Sequence, residues 1–142
     1  MLIVNAENQI LGRIASRIAK SLLKGEEVYV INAEKAVISG NPDFIKKFYL
    51  KRRHRGDPIK GPFFPKYPDR IFRRTVRGML PMKKAKGREA FKRLKVFIGV
   101  PDELKNKIEK AVRFEDSDVK KLKCKYISLG ELSLYLGAKK KW

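Results

Sequence analysis

The sequence predicts an α/β domain, and three observations predict it. Two short apolar strand candidates, Leu2–Val4 and Val28–Ile31, flank one strongly amphipathic segment, Leu11–Lys24. Strand, crossover helix and strand in that order make a right-handed βαβ unit. A third apolar run, Lys95–Ile98, returns late in the chain and is closed by Gly99 and Pro101. Between these parts lies a long basic insertion, Lys46–Lys95. At 142 residues the chain reads as one domain, 1–142, and a hydrophobic content of 43% is enough for a core.

Taken in order, the first helix is the clearest element. Leu11, Ile14, Ala15, Ile18, Ala19, Leu22 and Leu23 recur at helical spacing and form one apolar stripe. Gly25 follows, where a left-handed terminus is least costly for glycine. Arg13, Arg17, Lys20 and Lys24 line the outward side, either as a solvated face or as phosphate contacts. Val28–Ile31 is apolar on both sides, as expected of a strand covered on both faces. Ala36–Ile38 either extends the sheet or belongs to the loop. Asn41 then caps a helix with Pro42 in its first position, and Phe44, Ile45, Phe48 and Tyr49 are its expected buried stripe. Past Leu50 that stripe would receive Lys51 and Arg52, so the helix is expected to end there.

Gly56–Pro68 holds four of the seven prolines, Pro58, Pro62, Pro65 and Pro68, and reads as a long extended loop. Phe63, Phe64 and Tyr67 are expected to anchor it on its own domain or on a partner; in the free protein partial disorder is expected. Asp69 is positioned to cap a helix over about Arg70–Leu80. Arg70, Arg73, Arg74 and Arg77 fall on one face, and Ile71, Phe72, Thr75, Val76 and Met79 on the other. Pro81 ends it. A short helix over Arg88–Leu94 buries Ala90, Phe91 and Leu94. In the C-terminal tail, 102–142, expected to pack on the domain, Leu104, Ile108, Ala111 and Val112 are spaced for a short helix. Ser128–Glu131 is a capping-box pattern opening a last helix that buries Leu129, Leu132 and Leu136.

The charge is as unevenly distributed as the hydrophobicity. Lys and Arg total 35 against 15 acids, a net charge of +20. Lys46–Lys95 holds 19 of those bases and only Asp57, Asp69 and Glu89, so it carries +16 of the excess. Such a block repels itself unless a polyanion neutralises it, which makes nucleic acid the first partner to consider. No apolar run approaches the roughly 20 residues of a membrane span, and the N-terminus lacks the pattern of a signal peptide. Cys124 and His54 are single, so no internal disulfide or Cys/His metal cluster is expected; the chain reads as reduced, cytosolic and without cofactor. His54 sits among arginines that oppose the imidazolium a general base must become. Glu115, Asp116 and Asp118 read as a solvated acidic loop. No nucleotide-binding glycine motif is present, and no catalytic constellation or small-molecule site is expected.

A binding surface fits better. Arginine grips phosphate with two parallel hydrogen bonds where lysine offers a point charge. The candidates are Arg13 and Arg17 on the first helix, Arg52, Arg53, His54 and Arg55 before the loop, and Lys60 and Lys66 within it. Arg70, Arg73, Arg74 and Arg77 follow on the basic helix, then Lys83, Lys84, Lys86 and Arg88 beyond it. Basic, proline-rich loops interleaved with aromatics favour a folded RNA over duplex DNA, without deciding between them. An RNA-modifying enzyme with the same groove and a DNA-architectural protein are the competing readings.

Three blocks, in order, resemble a known family. VRGMLPMKKAKGREAFKRLKVFIG (Val76–Gly99), NQILGRIASRIAKSLLKGEEV (Asn8–Val28) and VINAEKAVISGNP (Val30–Pro42) are similar to the universal large-subunit ribosomal protein L-thirteen family. The resemblance covers about the first hundred residues. GPFFPKYPDRIFRRTVRGMLP (Gly61–Pro81) looks like the archaeal and eukaryotic branch, and the lack of a long basic C-terminal extension favours the archaeal form. From Asp102 on the match is loose, except that KYISLGELSLYLGAK is similar to archaeal endings. The resemblance implies a three-layer α/β/α domain around a four-stranded, mainly parallel sheet. It also implies a cytoplasmic structural protein that binds large-subunit rRNA, acts early in subunit assembly and touches neighbouring ribosomal proteins.

Overall fold

The computed structural model describes residues 1–57 and 59–142; Pro58, one of the loop prolines, lies outside them. The chain is mixed α/β. Strand β1 (Leu2–Asn5), helix α1 (Leu11–Leu23) and strand β2 (Val28–Ile31) form the expected parallel unit, with Leu2 opposite Val28 and Asn5 opposite Ile31. Strand β4 (Leu94–Val96) joins the other edge of β2, also parallel, giving the order β1-β2-β4.

The four-stranded sheet of the family resemblance is not what forms among the described residues. Three parallel strands form it, and β3 (Val37–Ser39) pairs separately and antiparallel with β5 (Tyr126–Ser128). The cause is local. Asn32 takes a left-handed conformation (φ 57°) directly after β2, and a 3-10 turn over Ala33–Lys35 swings the chain away from the sheet. Asparagine tolerates that conformation better than most side chains. On the outer edge of β1 the sheet continues for one residue only. Val112 N–H donates to the Ile3 carbonyl at 2.8 Å, and Val112 accepts from Asn5 N–H at 3.0 Å.

Alternation along the strands divides the core. Val4, Val28 and Val30 join the main cluster with Ile14, Ile18 and Leu22 of α1, where α3 (Pro68–Arg77) and α4 (Ala85–Lys92) also pack. Ile3 and Ile31 point the other way, against Leu104. This back layer is thin. Where Leu104, Ile108, Ala111 and Val112 were spaced for a short helix, Asp102–Lys110 forms 3-10 turns that bury Leu104 and leave Ile108 exposed. The last helix follows expectation: Ser128 Oγ accepts from Glu131 N–H at 3.3 Å at the start of α5 (Leu129–Tyr135), and Leu129, Leu132 and Leu136 are buried.

The basic segment departs most from expectation. Helix α2 (Pro42–His54) begins as predicted, with Asn41 Oδ1 accepting from Asp43 N–H at 2.9 Å, but runs four residues past Leu50. Lys51 and Arg52 do not enter a buried stripe, because the stripe is narrower than the sequence implied. Ile45 alone is buried, Tyr49 and Leu50 partly so, and Phe44 and Phe48 are exposed. Helix α3 starts at Pro68, with Tyr67 rather than Asp69 in the capping position, and ends at Arg77. Met79 therefore lies beyond the helix and is exposed. Helix α4 starts three residues early, at Ala85. Gly87 lies so close to the preceding turn that a Cβ there would collide with the Pro81 carbonyl group.

Candidate nucleic-acid interface

The loop after α2 is tied down by one aromatic side chain. Phe64 is 6% exposed and packs in the main core cluster, whereas Phe63 is 66% exposed. Arg53, on the last turn of α2, donates from Nη1 to the Phe64 carbonyl oxygen at 2.7 Å, fixing the backbone at the same point. Asp57 and Gly61 exchange backbone hydrogen bonds at 3.0 and 2.9 Å and close the loop's base. The anchoring role expected of the aromatics thus falls on Phe64.

Around Phe64 the arginines converge. The Arg52 guanidinium lies 4.6 Å from the Phe64 ring centroid and Arg74 lies 5.3 Å from it; Arg52 also sits over Phe48 and Tyr49, at 5.6 and 5.9 Å. Arg73 lies 4.5 Å over Phe91 of α4. The rings' negative faces hold these cations in place without neutralising them, so their N–H groups stay available to an anion. Burial raises the Tyr49 hydroxyl above its ordinary pKa, partly opposed by Arg52.

The result is an open groove of about 480 Å³ between loop and helix. Its lining includes Arg53, Phe63, Phe64, Pro65, Lys66 and Tyr67 on one side, with Arg70, Arg73, Arg74, Arg77 and Phe91 on the other. Arg52, Arg55 and Arg74 meet in a smaller recess around Pro62 and Phe64. Of the sequence candidates, then, Arg52, Arg53, Arg55, Lys66, Arg70, Arg73, Arg74 and Arg77 come together. His54 and Lys60 are exposed nearby on the helix end and the loop. Lys83 and Lys84 are exposed on the turn into α4, and Lys86 is exposed in its first turn. Arg88 folds back, donating from Nη1 to the carbonyls of Met82 and Lys83, both at 3.3 Å. Among the described residues, no lysine or arginine between 46 and 95 forms an ion pair.

Arg13 and Arg17 are placed differently. Arg17 pairs with the Asp116 carboxylate and lies 5.0 Å over Phe114, while Arg13 Nη1 donates to the Asp116 carbonyl oxygen at 3.0 Å. The hydrogen bond from Arg17 holds the Asp116 carboxyl below its ordinary pKa. Asp118 caps the next 3-10 turn by accepting from Lys120 N–H at 3.0 Å and pairs with Arg113 at 3.6 Å. The acidic loop is therefore a partner for α1 and its own neighbours.

Two parts of the surface had no clear sequence signal. Lys141, near the C-terminus, lies 4.4 Å over Tyr67 at the rim of the groove, a contact set by tertiary packing. Phe44 and Phe48 stack on each other in the open, although their i, i+4 spacing suggested burial. No group of His, Cys, Asp and Glu among the described residues could hold a metal ion, and none of their helices is long and apolar enough to cross a membrane.

Relatives of this chain are ribosomal proteins. The "Large ribosomal subunit protein uL13" of Methanosarcina barkeri is 52% identical over 98% of this chain and 99% of its own length. The protein of that name from Methanopyrus kandleri is 51% identical, covering 95% of this chain and 86% of its own length. The one from Methanocaldococcus jannaschii is 49% identical over 98% and 99%. All three sources are archaeal, the form that the resemblance favoured. The family model described as "Ribosomal protein L13" matches residues 1–103, and the chain belongs to that family. It is a structural constituent of the ribosome and not an enzyme.

Proposed function

We propose that the chain is a cytoplasmic component of the large ribosomal subunit that binds large-subunit rRNA through the groove between the 55–67 loop and α3. The observation that carries this reading is a pairing of facts. Lys46–Lys95 holds nineteen bases, and no ion pair within the described residues answers any of them. A surface that needs only solubility mixes both signs. Here Arg70, Arg73, Arg74 and Arg77 stand on one rigid helix, Arg73 and Arg74 oriented by aromatic rings, facing a loop that carries more cations. Closely spaced phosphates of a folded RNA match that array, and the half-buried aromatics between the bases suit its irregular surface. Lys60, Lys83, Lys84 and Lys86 extend the positive field beyond the groove, and His54 lies beside it. Arg13 and Arg17 are already engaged by Asp116, so the proposal centres on residues 52–88.

Early action in subunit assembly and contact with neighbouring ribosomal proteins belong to the same proposal, supported by family membership. The deciding measurement is binding of purified protein to large-subunit rRNA fragments across a salt series. With about 6–10 phosphates engaged, affinity falls by about 10³–10⁵ between about 50 and 200 mM salt. Equal affinity for unrelated duplex DNA would sink the RNA-specific part. Depletion of the protein in its host is expected to accumulate light precursors of the large subunit; a normal subunit yield would remove the assembly role.

A further inference from the structure

We propose that the outer face of α2 is a second RNA contact, in which Phe44 and Phe48 stack unpaired bases; the inference rests on the rRNA-binding reading above. The two rings stack on each other, with centroids 6.3 Å apart and planes 20° from parallel, and the residues are 69% and 47% exposed. Two phenylalanines one helical turn apart are ordinarily turned to the core, where burying each stabilises the fold by a few kcal/mol at most. Here the fold leaves both outside. Their neighbourhood indicates what they face. Lys47, Lys51 and Arg52 are exposed on the same helix, and the one acid of α2, Asp43, sits in its first turn, where it complements the helix dipole.

Charge decides between the two kinds of occupant. The centre of a protein–protein interface is depleted of charge, whereas single-stranded RNA is held by aromatic faces interleaved with cations that follow the backbone. The stripe is also continuous with the groove. Phe44 stacks on Phe48, Arg52 lies over Phe48, and the same guanidinium lies over Phe64 at the groove's centre. One strand could leave the phosphate-binding groove across Arg52 and lay its bases on Phe48 and Phe44.

The test compares the full-length protein with F44L/F48L, which keeps apolar surface but removes both π faces. The probes are a large-subunit rRNA fragment with unpaired loops and a perfectly paired RNA of equal length. The double variant should bind the looped fragment at least about fivefold more weakly, since losing one base stack costs about that factor or more. Its salt slope and its affinity for the duplex should be unchanged, because phenylalanine releases no counterions. Unaltered binding of the looped fragment would overturn the proposal and point to an apolar docking surface for a protein neighbour. An equal loss on duplex and looped RNA would overturn it as well. Failure of the unaltered protein to bind either RNA would reject the groove reading and this one together. If the double variant melts early, F44L alone, at the more exposed ring, carries the same comparison.

Discussion

Helix α1 presents Arg13 and Arg17 outward, helix α3 presents Arg70, Arg73, Arg74 and Arg77, and the two helices pack against each other. From the sequence these are the same device, an amphipathic helix with an arginine face. In the fold they have different partners. The α1 face receives Asp116 and Phe114 from the same chain. The α3 face meets aromatic rings and further cations, and among the described residues no carboxylate. An arginine face answered internally does structural work, while one left unanswered is available to an outside polyanion. The charge pattern of a helix does not reveal its role; the partner does.

The largest effect should come from the clamp that both faces share. Phe72 is fully buried on the apolar side of α3, and F72A should cost about 3–5 kcal/mol in urea denaturation. A loss well below that would mean α3 is not held to the domain by this face. Next is R73A/R74A/R77A. If each arginine neutralises one phosphate, the log–log salt slope should shrink by about 0.7–0.9 per residue removed. Thermal stability should stay level or rise, since self-repulsion is relieved. Binding indifferent to the triple change would break the contrast from the α3 side.

R13A/R17A should do the reverse. A small drop in melting temperature is expected, with the salt slope for RNA unchanged, because exposed ion pairs contribute little. A slope change as large as that of the triple variant would show α1 to be an RNA face after all. The smallest effect concerns pH. The Asp116 carboxyl is held below its ordinary value near 3.8 in the folded chain, so its contact stabilises above that pH and is lost as pH falls through the folded value. D116N should therefore melt slightly below the unaltered protein at pH 7, with the gap closing in strong acid. A gap independent of pH would mean that the Arg17 pairing is not its source.

How much was legible follows from range. The α1 stripe, the Asn41 and Ser128 caps and the four-arginine face of α3 were readable, because each depends on residues within one or two helical turns. The parallel pairing of β1 with β2 followed from the crossover, while its register came only with the fold. The narrow buried stripe of α2 was not readable, since Phe44 and Phe48 have the spacing of core residues and only the position of α2 on the domain leaves them outside. The reduced sheet was missed for a similar reason: left-handed Asn32 redirects the chain, and a lone asparagine gives a weak signal of that turn. The fate of Asp116 was missed because its partner lies 99 residues away.

By itself the sequence determined the class of fold, its family and the place where positive charge accumulates. Hydrophobic periodicity and net charge are local sums that survive without coordinates. Tertiary structure alone decided which cations are free. It folded the 113–118 segment onto α1, seated Phe64 among Arg52, Arg53 and Arg74, and left two phenylalanines in the open. Pairing is a matter of distances between remote residues, and the packing of the core sets those distances.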